Sequence, residues 1–415
     1  MAIWAIAAIA TAGVIVRPFG APEAIWAVLG AGLLVLAGLI SPGDALVGIG
    51  KGTDVYLFLI GMMLLAETAR AEGLFDWMAA HATRRARGSA SRMFTLVYAV
   101  GTLVTIFLSN DATAVVLTPA VAAAARTARV KHPLPYLLIC AFIANAASFV
   151  LPISNPANLV LYGSHAPALL DWLPRYLPAS VVSIVVTYGI LRWTQRKALA
   201  QPIAADVPVP RLSRTGMAAA AGIVVTGIVL LAASALDSQL GLPTAIAGVA
   251  TTALVLLSAR KAPWQTLKDI SWSVLPLVAG LFVLVEALAR TGLIGLLGEA
   301  LHHAAAQSVA STSWAVGVLV AIASNLMNNL PVGLIAGSVV SSAGLSDQVT
   351  QAALIGVDLG PNLSVTGSLA TILWLTALRR EAHHVSAFTF LKLGLLVMPP
   401  ALLLALAVAL LPCWT

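Results

Sequence analysis

The amino-acid sequence predicts an all-α polytopic membrane protein of two inverted repeats, with about ten transmembrane helices, two re-entrant hairpins and two broken helices. Three observations carry that expectation. The first is composition: 415 residues that are 60% hydrophobic and 9% charged, with a mean hydropathy of +0.96, are outside the range of soluble domains. The second is a pair of polar dipeptides, Asn110-Asp111 and Asn328-Asn329, each midway along a stretch that otherwise reads as membrane-embedded. Acids and carboxamides at that depth cost several kcal/mol unless they face partners, water or a solute. The third is the clustering of the 23 Lys and Arg at loop positions, which sets sidedness by the positive-inside rule.

Apolar runs at Trp4–Val16 and Ala24–Ile40 open the chain as retained helices, since the first lacks the basic flank and cleavage pattern of a signal peptide. The 92–126 segment is too long for one span, which needs about 20 residues. It also has basic clusters at both ends: Arg84, Arg85, Arg87 and Arg92 before it, Arg126, Arg129 and Lys131 after it. A hairpin that turns at Ser109-Asn110-Asp111 puts both clusters on one face. Residues 133–163 then cross as a broken helix, opened by LPISNPANL, where Pro152 and Pro156 interrupt the hydrogen-bond ladder. Pro178–Trp193 returns, which closes a first repeat over 1–193, and the basic 194–214 segment links it to a second repeat over 215–415.

In that second repeat, spans are expected at 215–235, 241–259 and 271–289, a hairpin over 312–343 and a broken helix over 351–377 opened at DLGPNLSVTGS. A last span follows at 386–411. Only Lys51, Arg175 and Arg290 then fall on the non-cytoplasmic face, and both termini lie outside. Five crossings and one hairpin per half, an odd number, invert the second half. Weak internal similarity runs the same way: ETARAEGLF (67–75) with EALARTGLI (286–294), SNDATA (109–114) with MNNLPV (327–332), and NAASFVLPISN (145–155) with DLGPNLSVTGS (358–368).

The interrupted segments hold the chemistry. Asp111 and Asp358 are the two acids there, and a carboxyl at low dielectric exchanges its proton nearer neutral pH. They are the expected proton-coupling groups. Around them the lining is neutral: Ser109, Asn110, Thr113, Asn145, Ser154, Asn155, Asn158, Asn328, Asn329, Asn362, Ser364 and Thr366. No Lys or Arg lies near the breaks, so this lining suits a small neutral or weakly charged hydroxylated solute. Broken-helix N-termini add partial positive charge.

Glu67 and Glu286, each with an arginine within a turn, read as ion-paired helix ends. His302-His303 and His383-His384 read as loop residues rather than metal ligands, and no cofactor site is visible. Two cysteines, Cys140 and Cys413, make neither a disulfide framework nor a metal set. The run GDALVGIGKGT lacks the glycine spacing of a nucleotide loop. No nucleophile–base pair is apparent, so the residues describe a carrier and not an enzyme.

SNDATAVVLTPAV, SNLMNNLPVGLIAG and GVDLGPNLSVTGSLATILWL resemble the bacterial arsenite efflux permeases, or arsenical pump membrane proteins, of the ion-transporter superfamily. The resemblance implies a bacterial inner-membrane carrier. It would export trivalent arsenic or antimony as the neutral trihydroxide in exchange for protons, in some members with a soluble arsenite-stimulated ATPase attached. Superfamily relatives are commonly homodimers built as a scaffold plus a moving transport unit. Some family members carry Asp at the position of Asn145 and Lys at that of Asn362, so this chain is a charge-neutral version. A sodium-coupled dicarboxylate symporter, a sodium/proton antiporter and a passive channel stay open as alternatives.

Overall fold

The computed structural model describes residues 1–163, 166–236 and 238–411. Every named element is helical. The first half runs α1 Ala2–Val16, α2 Glu23–Leu36, α3 Pro42–Lys51, α4 Thr53–Ala71, α5 Leu74–Arg85, α6 Ala90–Phe107, α7 Asn110–Ala112, α8 Thr118–Thr127, α9 Leu134–Ala146, α10 Pro156–Tyr162 and α11 Leu169–Thr194. The second runs α12 Arg214–Ala235, α13 Gly241–Ala259, α14 Trp264–Asp269, α15 Val274–Ala289, α16 Leu293–Gln307, α17 Val309–Met327, α18 Asn329–Ser342, α19 Asp347–Leu359, α20 Leu369–Arg380 and α21 Ala387–Ala409. Six of these helices are long and apolar enough to cross a membrane singly, and two bent pairs, α3–α4 and α15–α16, bring the number to eight.

The same sequence of helices occurs twice, and the packing shows what the repetition is for. α4 packs along α13 while its counterpart α15 packs along α2; α1 lies on α2 as α12 lies on α13; α11 and α21 pack on each other. Backbone contact sets these pairings. A Cβ on Gly61 would come within 2.2 Å of the Thr244 carbonyl oxygen, and one on Gly248 within 2.4 Å of the Gly61 carbonyl oxygen. Small residues permit such an approach, which membrane helices need because lipid gives them no hydrophobic drive to associate. The left-handed glycines Gly73 (φ 75°) and Gly292 (φ 83°) turn α4 into α5 and α15 into α16.

The first hairpin is fixed at its base by the segment between the halves. The Ile203 N–H donates to the Gly88 carbonyl and the Ala204 N–H to the Ala128 carbonyl, so both arms begin and end at one face. The ion pairs at the helix ends also match in kind. Arg70 bridges Glu67 and Asp269 on α14; Arg290 bridges Glu286 and Asp44 on α3, and Lys51 adds a further bond to Glu286 at 2.6 Å.

Boundaries differ from expectation in three places. α11 begins at Leu169 and carries Pro174 and Pro178 inside it, so the returning helix is longer than 178–193. α17 begins three residues before 312, and α19 and α20 extend the second broken helix to Asp347–Arg380. His302 and His303 lie within α16, not in a loop. That helix is amphipathic, and its polar stripe, not a turn, accommodates them. No metal-competent group of three His, Cys, Asp or Glu occurs among the described residues.

Candidate functional site

Each hairpin tip is a helix break that its own polar residue caps. In the first, Leu108 (φ −113°, ψ −81°) leaves the helix and Ser109 runs extended, its hydroxyl accepting from the Ala112 N–H at 3.1 Å. The chain restarts through α7 and a π-helical stretch over Thr113–Leu117, pinned by a Thr105–Thr113 hydroxyl bond of 2.8 Å. In the second, Asn328 adopts φ 75°, ψ 149° and its side chain accepts from the Leu330 N–H. Side-chain-bearing residues rarely adopt that backbone, and the bond from Leu330 together with the Asn328 amide's donation to the Thr366 carbonyl holds it there.

The broken helices meet at the middle and cross-link the two halves. Asn155 caps α10 by accepting from the Ala157 N–H at 3.0 Å, and its amide nitrogen donates to Oδ1 of Asp358 at 2.6 Å. Ser368 caps α20 by accepting from the Thr371 N–H at 3.1 Å, and its hydroxyl donates to Oδ1 of Asn145 at 3.2 Å. Asn145 also donates to Asn362 Oδ1 at 3.0 Å and to Thr371 at 3.3 Å, while Asn362 donates to the Phe142 carbonyl at 3.1 Å. Asn145, Asp358 and Asn362 are all fully buried. Asn145 and Asn362 are thus hydrogen-bonded neighbours, two carboxamides that satisfy each other without charge.

Most break residues are spent on architecture. Asn158 donates to the carbonyls of Ser148, Leu151 and Pro152, which the break frees. Ser154 donates to the Ile106 carbonyl at 3.0 Å and so holds the first hairpin. Ser364 and Thr366 bind Asn325. The tip residues are different: the Asp111 carboxylate, the Asn110 amide nitrogen and the Asn329 side chain make no hydrogen bond among the described residues. Free polar groups are thus present at both tips, and at the broken helices Asn158 Oδ1 and Asp358 Oδ2 also lack partners.

Asn325 was not singled out by sequence reasoning. Its amide donates to the carbonyls of Ala321 and Gly360, and its oxygen accepts from Ser364 at 2.7 Å. It lies in α17, three residues before the break at Asn328, and a third asparagine in the run SNLMNN was the available signal. Ser368 and Thr371 were also missed, since Ser and Thr are too common near helix starts to stand out.

Two cavities open along the seam between α4 and α15 on one side and the hairpins and broken helices on the other. The larger, about 600 Å³, lies at the Lys51–Glu286 end and reaches Tyr162 on α10 and Ser338 on α18. The smaller, about 70 Å³, lies toward the Glu67–Asp269 end and is lined by Ser109, Asp111 and Pro156 together with Phe58, Met62 and Val274. Asp358 lines neither. It sits behind Asn155, one residue from the Pro156 wall of the smaller cavity. The two acids accordingly occupy different settings, one at a cavity surface and one in the packed interior.

Segments 108–118, 145–158, 325–332 and 358–371 contain no Lys or Arg. What positive potential exists there comes from the N-termini of α10, α18 and α20 and of the short α7. The arrangement can hydrogen-bond hydroxyls and accept a proton; it lacks a formal counter-charge for a multiply charged anion.

Comparison with known proteins agrees with the fold. A family model described as citrate transporter (CitMHS) matches residues 5–356. Arsenical pump membrane proteins of Yersinia enterocolitica and of Escherichia coli K12 are each 28% identical, the former over 91% of this chain and 90% of its own length, the latter over 95% and 94%. Among solved structures, the Alcanivorax borkumensis YdaH transporter, described as having an unusual topology, superposes with a TM-score of 0.56 at 16% identity, covering 88% of this chain and 86% of its own. The chain belongs to the citrate-transporter family and is a multi-pass membrane transporter.

Proposed function

From that membership we propose that the chain exports arsenite and antimonite as neutral trihydroxides in exchange for protons. The neutrality of the site carries this reading: the free groups at the hairpin tips are a carboxyl and carboxamides, and no Lys or Arg lies in the four interrupted segments. Arsenous acid is uncharged near neutral pH and presents three hydroxyls, which Asn110, Asn329 and the Asp111 carboxyl can hydrogen-bond. Such contacts are weak enough for release, whereas a cage of thiolates would trap a soft ion. The names of the relatives favour the same solute.

Charge placement supports an orientation with the Glu67–Asp269 end in the cytoplasm and the Lys51–Glu286 end outside. The smaller cavity then faces the cytoplasm and the larger one the exterior. Asp111 and Asp358 take up the proton between them, and residues 1–193 and 215–415 act as the two repeats on either side of the basic 194–214 linker. That linker is also where a soluble ATPase would dock, and the apolar outer surface leaves a dimer open.

Everted membrane vesicles test the reading. Arsenite and antimonite should accumulate when a proton gradient is imposed and should stop when it is collapsed. Citrate uptake driven by sodium or protons, with arsenite excluded, would overturn it in favour of the second reading, a coupled carboxylate carrier. The family description and the helix N-termini at the tips favour that second reading.

A further inference from the structure

The 70 Å³ cavity at Asp111 shares a wall with a third cavity of about 750 Å³. This third space lies between the end of α4 and α14, where Lys261, Gln265, Thr266 and Lys268 line it. Among the described residues only Glu67 and Asp269 line both cavities. Ile270 and Ser271, which follow Asp269, face the inner one. Residues 264–271 are therefore a flap with one side on each space.

Arg70 fastens that flap to α4. Its Nη2 meets Oδ2 of Asp269 at 2.9 Å, and its Nε donates to Oε2 of Glu67 at 2.8 Å. Glu67 is buried, whereas Arg70 and Asp269 are each about half exposed, and a half-exposed ion pair holds weakly. The Trp272 indole N–H donates to the Leu267 carbonyl at 2.6 Å, which keeps α14 folded back on the chain that follows it. Non-helical backbone at Arg260 (φ 52°, ψ 37°) and Ile270 (φ −69°, ψ 138°) brackets the helix, so it can move as a unit.

We infer that the 264–271 stretch is a lid over the Asp111 cavity and that Arg70 is its latch. When Arg70 releases Asp269, the lid lifts and the wall of Glu67 and Asp269 parts. The two cavities then become one passage, leading to Asp111 from the face that carries Lys261 and Lys268. A weak latch suits this task, because a lid that opens in every cycle cannot be held by a strong bond. At the other end of the molecule the matching trio of Asp44, Arg290 and Glu286 ties α3 to α15. The space beside it is 600 Å³, so the closed lid belongs to one end only.

The test uses the purified full-length chain in detergent, with Cys140→Ser and Cys413→Ser so that one introduced thiol reports. Val115→Cys puts that thiol on the inner cavity and Gln265→Cys puts it on the outer one. A charged methanethiosulfonate labels each from water. The inner thiol should react at least about tenfold more slowly than the outer one. Adding Asp269→Asn or Arg70→Gln should quicken inner labelling at least about threefold and change outer labelling less than about twofold. Asp269 is the more exposed position, so its variant carries the test even where Arg70→Gln folds poorly. Equal reactivity of the two thiols with the latch intact would mean that no wall exists. An inner thiol that stays slow in both variants would mean that no latch exists, and inner and outer labelling that rise together would mean general loosening. Each of these three results overturns the lid. Arsenite enters none of them, so the lid and the export reading stand or fall separately.

Discussion

The crossing contacts of the two halves are alike in geometry and unlike in chemistry. In each, a residue before one break reaches the residue that caps the helix after the other: Asp358 to Asn155, and Asn145 to Ser368. On the Asn145 side every polar group is used, since Asn145 meets Asn362, Thr371, Ser368 and the Ala141 carbonyl. On the Asp358 side a carboxylate oxygen has no partner. Buried unpartnered polar atoms are costly and rare, so an acid at one crossing and a carboxamide at the other give the two crossings different electrostatics. On this contrast the Asp358 crossing is the one expected to exchange a proton, and the Asn145 crossing the one expected to be inert.

The tips diverge in the same manner. The second is fastened to its break, with the Asn329 N–H donating to the Gly367 carbonyl at 2.9 Å and Asn325 clasping Gly360 and Ser364. The first presents Asp111 to a cavity and is held chiefly through Ser154 and Thr113.

The most severe way to break this contrast is to remove the acid. Asp358→Asn should abolish proton-driven arsenite uptake into everted vesicles, a loss of about a hundredfold or more, while the protein still inserts and folds. Wild-type coupling in that variant would refute the division of labour between the crossings. Asp111→Asn should come next. It should weaken arsenite handling, read as a raised KM, if the cavity that Asp111 lines is the proposed solute site. Coupling that is unchanged in both variants would remove the two acids from the mechanism altogether.

The inert crossing is tested by stability. Asn145→Ala leaves Asn362, Ser368 and Thr371 short of a partner and should cost about 1–3 kcal/mol, seen as a lower melting temperature in detergent. At the hairpin seam, a Cβ on Gly337 would come 2.1 Å from the Leu161 carbonyl oxygen, so Gly337→Ala should separate α10 from α18 and lower the transport rate several-fold. No such change is expected from Cys140→Ser. The cysteine is fully buried and no site residue bonds to it, so arsenite resistance at normal expression should persist. Loss of resistance there would bring thiolate chemistry back into consideration.

Much of the frame was legible in the chain. Pro152, Pro156 and the Asn-Asp and Asn-Asn pairs announce interruptions because proline removes a donor and a polar side chain in lipid needs a reason. The Asn328-Asn329 pair marked the turn of the second hairpin, and the inexact internal similarity ran the same way. Glu67 with Arg70 and Glu286 with Arg290 were readable from spacing alone, and they do pair. The partners Asp269 and Asp44 were not, because nothing local links α4 to α14 or α15 to α3.

Sequence by itself determined where the helices stop and which polar groups lie at depth, since backbone hydrogen bonding and the cost of burying charge act locally along the chain. Only the tertiary structure decided which of those groups are free. The twelve neutral polar residues and two acids of the interrupted segments cannot be ranked from a string of letters. Folding consumes Asn145, Asn362, Ser364, Thr366 and the amide nitrogen of Asn158 in capping and cross-linking, and leaves Asp111, Asn329, the Asn110 amide nitrogen and one oxygen each of Asn158 and Asp358 unspent. That outcome depends on contacts between segments more than two hundred residues apart, Asn155 with Asp358 (|i−j| = 203) among them. No local pattern encodes it.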